Sequence, residues 1–74
     1  MADRRLQVFS TVARLLSFTK AAEALHMTQP AVTFQIRQLE DYFNTRLFDR
    51  THNRISLTTA GHLVKDYSGQ IISL

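Results

Sequence analysis

There is no cysteine among these 74 residues, which removes disulfides, thiolate metal sites and thiol nucleophiles at once. Redox logic therefore leaves the compartment open, with the cytoplasm as the default. Glycine occurs twice and proline once, too little for a turn-rich or disordered chain. The 45% hydrophobic content points instead to a folded and largely helical one. No apolar run approaches the length of a membrane span, and the opening MADRRLQVF has no apolar signal core, so neither secretion nor membrane insertion is expected. A Gly-rich phosphate loop, a nucleophile elbow and a catalytic dyad are missing too, and no enzyme is expected. His26, His52 and His62 share no metal-ligand spacing. His62 and Asp66, four apart, supply two ligands where a stable zinc site needs three or four, so they read as a surface pair and no metal or cofactor is expected.

What remains fits one small domain whose core is modest and whose stability is marginal or helped by a partner. Nine Lys and Arg against six acids leave a net charge of +3, a mild pointer to a polyanion that would not carry a case alone. From Asp3 to Leu16, apolar Leu6, Phe9, Val12, Ala13 and Leu16 recur at helical spacing, predicting a first helix packed on the core. Arg4, Arg5 and Arg14 fall on its solvated side. Thr19 is the expected N-cap of a second helix over about Lys20 to Leu25, where Ala21 and Ala22 let a neighbouring helix approach closely. His26 then falls at a turn, in a backbone conformation that His tolerates better than most residues.

Met27 to Phe43 is the stretch the rest serves. Thr28 is its expected N-cap, with Pro30 tolerated in the first turn. Val32, Ile36, Leu39 and Phe43 form one apolar stripe, while Pro30, Thr33, Phe34 and Arg37 point the other way and acids appear only at Glu40 and Asp41. Only about three residues separate it from the second helix, a spacing that forces the sharp crossing of a helix-turn-helix. After Asn44, two short strand candidates flank a polar tip of Thr51, His52, Asn53 and Arg54, predicting a β-hairpin wing. Thr58 caps a last helix on which Ala60, Val64, Tyr67, Ile71 and Leu74 keep a spacing of four and three, favouring lengthwise pairing with another helix. That pattern is still running at the last residue, and the expectation is a front piece of a longer protein.

The segments AAEALHMTQPAVTFQIRQLE, LFDR and ISLTTAG, in this order, resemble the N-terminal DNA-binding domain of LysR-type transcriptional regulators. The resemblance covers nearly the whole chain. It implies a mainly α fold with a small β-hairpin: a winged helix-turn-helix over residues 1–58 and the start of a linker or dimerisation helix over 59–74. It also implies double-stranded DNA with two half-sites as partner, a homodimer through the last helix, and a C-terminal domain, absent from this chain, that takes a small-molecule effector. Recognition-helix contacts, within residues 28–43, would fall on Thr28, Gln29, Pro30, Thr33, Phe34 and Arg37. Wing contacts, within 50–54, would fall on His52, Asn53 and Arg54, with Arg50 at the base. Phe34 stands where a polar or basic residue is frequent in the family.

Each residue also has a plainer reading. Gln29 has the amide that bonds an adenine edge, or it is a solvated first-turn residue. Thr33 bonds a phosphate, a base edge, or its own helix. Phe34 covers a thymine methyl, or packs under the wing or on a neighbouring subunit. Arg37, Arg50 and Arg54 suit phosphates or a minor groove, unless Arg50 pairs internally with Asp49. Thr19 and Lys20 would meet a phosphate at a helix start. The rival to DNA binding is a protein-interaction module in which the last helix and Phe34 bind protein and the basic excess is incidental.

Overall fold

The computed structural model describes the backbone of residues 4–72 and the side chains through Tyr67. Four helices and one hairpin follow in the order α1 (Arg4–Leu15), α2 (Phe18–Leu25), α3 (Gln29–Phe43), β1 (Phe48–Thr51), β2 (Arg54–Leu57) and α4 (Thr59–Ile72). The first three helices pack pairwise against one another, and α4 lies against α1 and β2. Mainly α with a small antiparallel hairpin, as the sequence predicts, this is a winged helix-turn-helix.

Helix α1 turns Leu6, Val8, Phe9, Val12 and Ala13 inward. Leu16, expected on that stripe, is 47% exposed, because the helix has ended and its φ of 49° lifts the side chain away. Leu15 takes its place against the core. The cap of α2 also differs from expectation. Ser17, not Thr19, has the extended backbone of an N-cap, and its Oγ accepts from the Lys20 N–H at 3.0 Å. The reason is Phe18, which starts the helix and is buried with its ring edge-on to Phe48 at 5.8 Å between centroids. Burying that ring fixes where the helix begins, and the nearest hydroxyl upstream becomes the cap.

The turn between α2 and α3 is built as the residues suggest. His26 is left-handed at φ 56°, and the Met27 N–H closes back on the Ala22 carbonyl at 2.9 Å, a Schellman-type ending. Thr28 caps α3 by accepting from the Ala31 N–H at 3.3 Å. Ala21 and Ala22 are both buried, allowing α2 to lie close to α1 and α3. On α3 Val32, Ile36 and Leu39 are buried, but Phe43 is not part of the core. It lies past the packed part of the helix, 39% exposed and edge-on to Tyr42 at 5.1 Å. Asn44, left-handed at φ 54°, stops the helix.

The wing pairs Phe48 with Leu57, Asp49 with Ser56, Arg50 with Ile55 and Thr51 with Arg54. His52 and Asn53 bridge the strands with φ of 53° and 61°, the two positive values that a type I′ turn needs to match strand twist. Leu47 and Phe48 root the hairpin: both are buried, and the Phe48 ring lies 5.3 Å from that of Phe9. Burial of each contributes about 1.5–3 kcal/mol.

Five hydrogen bonds, all made by Glu40 and Thr58, lock this root in place. The Glu40 carboxylate, expected as a surface charge at the far end of α3, instead turns to the wing. Its Oε2 accepts from the Leu47 N–H at 2.9 Å and the Phe48 N–H at 3.5 Å. The Thr58 Oγ1 donates to the Arg46 carbonyl at 2.6 Å and accepts from the Gly61 N–H at 2.9 Å, so one hydroxyl both ties the loop and caps α4. The Thr58 N–H completes the tie on the Leu47 carbonyl at 3.1 Å. That carbonyl sits so close to α4 that a Cβ on Gly61 would lie 2.2 Å from it. Glycine is required here by space.

On α4, Ala60 and Val64, expected on a partner-facing seam, pack partly against this chain's own core. The exposed apolar line is the adjacent one, Leu63 and Tyr67, at 67% and 60% exposure. The Ile71 side chain and Leu74 lie outside the described residues.

Two stability effects follow from the root. Gly61→Ala is expected to cost ~1–3 kcal/mol in urea or thermal unfolding, since backbone rather than a flexible side chain must move. Glu40→Ala is expected to cost ~1–3 kcal/mol by leaving two amides without their acceptor, and to speed hydrogen exchange at the Leu47 amide. Glu40→Gln, which keeps an acceptor oxygen, should recover much of the loss; unchanged exchange at Leu47 in Glu40→Ala would show that the wing is held by other contacts.

Candidate nucleic-acid interface

The outward face of α3 is set by the inward one. With Val32, Ile36 and Leu39 committed to the core, a 100° step per residue leaves Gln29, Pro30, Phe34 and Arg37 exposed and Thr33 half-buried at the edge. No acid occurs from Thr28 through Arg37. Further along the helix Glu40 is withdrawn to the wing root, which leaves Asp41 as the acid on that side. The N-terminal half of α3 thus presents amide, hydroxyl, ring and guanidinium without a competing carboxylate.

The sharp turn before α3 and the hairpin behind it bring distant residues to this end. Thr19 from the start of α2, Gln29 from the start of α3, and Arg50, Asn53 and Arg54 from the wing line a single shallow depression. Lys20 is exposed beside it, but its backbone N–H is already taken by Ser17. Thr28 is exposed with its hydroxyl oxygen engaged in the cap, and Pro30 is open to solvent one residue after Gln29. His52 stands at the far tip of the wing, outside this depression, alongside Asn53 and Arg54.

Arg50 makes a contact that adjacency in sequence did not suggest. Its guanidinium lies over the Phe18 ring, 4.2 Å from the centroid, rather than on Asp49. Successive strand residues point to opposite faces, so Asp49 is turned away while Arg50 shares a face with Phe48. A cation over an aromatic face contributes ~0.5–2 kcal/mol and holds the planar fork in one attitude. Arg37 and Arg54 have no ion-pair partner among the described residues.

A second cleft, of about 160 Å³, separates α3 from the wing root and is lined by Thr33, Arg37, Glu40, Arg46 and Arg50 over Phe18, Ile36 and Phe48. Arg46 was not among the residues singled out from sequence. Its Nε lies 3.7 Å from Glu40 Oε2, yet the side chain is 71% exposed, so the ion pair adds little stability and the charge remains on the surface. The signal that would have found it is its place directly before Leu47, on the loop that the Glu40 carboxylate pulls towards α3. Three arginines around one cleft concentrate positive charge that the net figure of +3 conceals.

Of the remaining candidates, His62 and Asp66 are both exposed on α4, and no group of three or more potential metal ligands exists among the described residues. No described helix is long and apolar enough to cross a membrane.

Comparison with known proteins agrees with this geometry. The family described as "Bacterial regulatory helix-turn-helix protein, lysR family" matches residues 4–62. A RuBisCO operon transcriptional regulator from Allochromatium vinosum is 52% identical over 68 residues, covering 92% of this chain and 22% of that protein. The chain therefore spans about a fifth of the length of such curated relatives. Among solved structures, a transcriptional regulator of the LysR family from Eggerthella lenta DSM 2243 superimposes with a TM-score of 0.89 at 40% identity, covering 93% of this chain and 99% of that one. The BenM_DBD/catB site 1 DNA complex gives a TM-score of 0.90 at 34% identity, covering 95% and 78%. With its family pattern matched from the first helix to the start of the last, the chain belongs to the LysR family of bacterial regulatory helix-turn-helix proteins.

Proposed function

We propose that this chain is the sequence-specific, double-stranded DNA-binding part of a bacterial transcription regulator that acts in the cytoplasm, with no catalytic role. Residues 1–58 form the reading head and 59–74 begin the dimerisation helix. The observation that carries the reading is the convergence of Thr19, Gln29, Arg50, Asn53 and Arg54 on one depression beside an acid-free helix face. A helix N-terminus entering the major groove would set the Gln29 amide against a base edge, with Thr28, Pro30 and Thr33 close to it and Arg37 at the groove wall. The wing would then lie along the flanking backbone or minor groove, where His52, Asn53 and Arg54 supply contacts that fix register more than sequence. Arg50, held over the Phe18 ring, and Lys20 suit phosphates at the edge of the site. The similarity to a protein solved with bound DNA supports the same placement.

The partner arrangement is a homodimer on two half-sites. Leu63 and Tyr67 form an exposed apolar line one turn long, and solvating both without a partner is unfavourable. An isologous pairing of two α4 helices would cover that line and present two copies of α3 to one duplex. A small-molecule effector would act through a further domain of the full-length regulator.

Three measurements test this. Gln29→Ala is expected to cost ~1–3 kcal/mol on a site selected from a random duplex pool and much less on random DNA; equal losses on both would remove Gln29 from base reading. Wild-type affinity should also fall steeply with salt while the preference for the selected site persists. Tyr67→Glu should convert a dimer to a monomer by light scattering, because a charge placed on the seam must be desolvated without a counter-ion. A variant that stays dimeric sends the interface elsewhere.

A further inference from the structure

We infer that Phe34 reads a thymine, by covering its 5-methyl group in the major groove; this rests on the DNA-binding reading above and names one element of its specificity. The ring is 60% exposed. By helical geometry it lies, with Pro30, within about 30° of the line diametrically opposite the Val32, Ile36 and Leu39 stripe. Phe34 is therefore at the most protruding part of α3, one turn on from Pro30, and the two form a small apolar ridge. No other ring packs on it among the described residues, unlike Tyr42 and Phe43, which cover each other at the opposite end of the helix.

The surroundings of this ridge decide what can cover it. Gln29, Thr33 and Arg37 flank it, and no acid lies between Thr28 and Arg37. A protein partner that hides an aromatic usually brings a wider apolar patch to meet it, but beyond the short ridge of Pro30 and Phe34 the flanking side chains Gln29, Thr33, Arg37 and Gln38 are polar or cationic. A polyanion with an isolated apolar spot matches better. On the floor of the major groove every base edge offers donors and acceptors, and the one apolar group is the thymine 5-methyl. A ring at this position cannot bond a guanine or a phosphate as a basic side chain would, so it contributes to the choice of base and adds nothing to general attraction.

The test removes only the methyl. A duplex selected by the full chain from a random pool is remade with deoxyuridine at each thymine in turn. Wild type should lose affinity about fourfold at one thymine per half-site, the change expected for one buried methyl. Phe34→Ala should bind the thymine and uracil versions of that site equally, and Phe34→Leu should keep part of the difference. Indifference of the wild type to every replacement, or a methyl preference that survives in Phe34→Ala, overturns the assignment while leaving selective DNA binding intact. A chain that selects no sequence at all overturns the DNA reading and this inference with it.

Discussion

A single carboxylate joins α3 to the root of the wing. Glu40 sits on the helix that would enter a groove and captures the amides of Leu47 and Phe48 at the root of the wing. Without it the Leu47 and Phe48 amides would face a half-buried cleft without this acceptor, and unsatisfied amides in such places are costly. With it, the orientation of the wing is tied to the orientation of the helix. Everything placed on the hairpin, from Arg50 at its base to His52 at its tip, inherits its position from this bond and from the burial of Leu47 and Phe48 beneath it.

The same root is approached from the other side by α4. Thr58 binds the loop carbonyls and caps its own helix, and Gly61 lets that helix come into contact with the Leu47 carbonyl. Three elements far apart in function therefore meet at three consecutive residues. A change in how α4 is held, for instance by a partner on its Leu63 and Tyr67 line, bears mechanically on the wing, because the tie between them is backbone to backbone. In a domain this small there is little other core to absorb such a change.

What was legible in the sequence was local. Helix periodicity located α1, α3 and α4. The capping residues Thr28 and Thr58 and the left-handed stops His26 and Asn44 act within four residues of themselves, so their roles follow from composition. The hairpin tip followed from its polar run. Failures share a different cause. Ser17 and Thr19 are equivalent as caps until Phe48, thirty residues on from Phe18, buries that ring and chooses between them. Glu40 reads as a solvated charge because its partners are amides seven and eight residues away, a distance that no helical or strand period picks out. On α4 two neighbouring apolar stripes compete, and only packing against α1 and β2 decides that Ala60 and Val64 turn inward. The exposed positions of α3 were easier than these, since an outward face is whatever the core leaves behind.

The two-residue tip at His52 and Asn53 has a further consequence, one of parity. Phe48 and Arg50 share a face because they are two apart, and both touch the Phe18 ring; Ile55 and Leu57 opposite them share that face as well. A single residue inserted between the root and the tip would turn every side chain beyond it to the other side of the ribbon. Arg50 would leave its ring, and the wing would offer solvent-facing groups to the core. Lengthening the wing below Arg50 while keeping these faces therefore takes two residues in each strand, a step that moves the tip outward by roughly 6.6 Å.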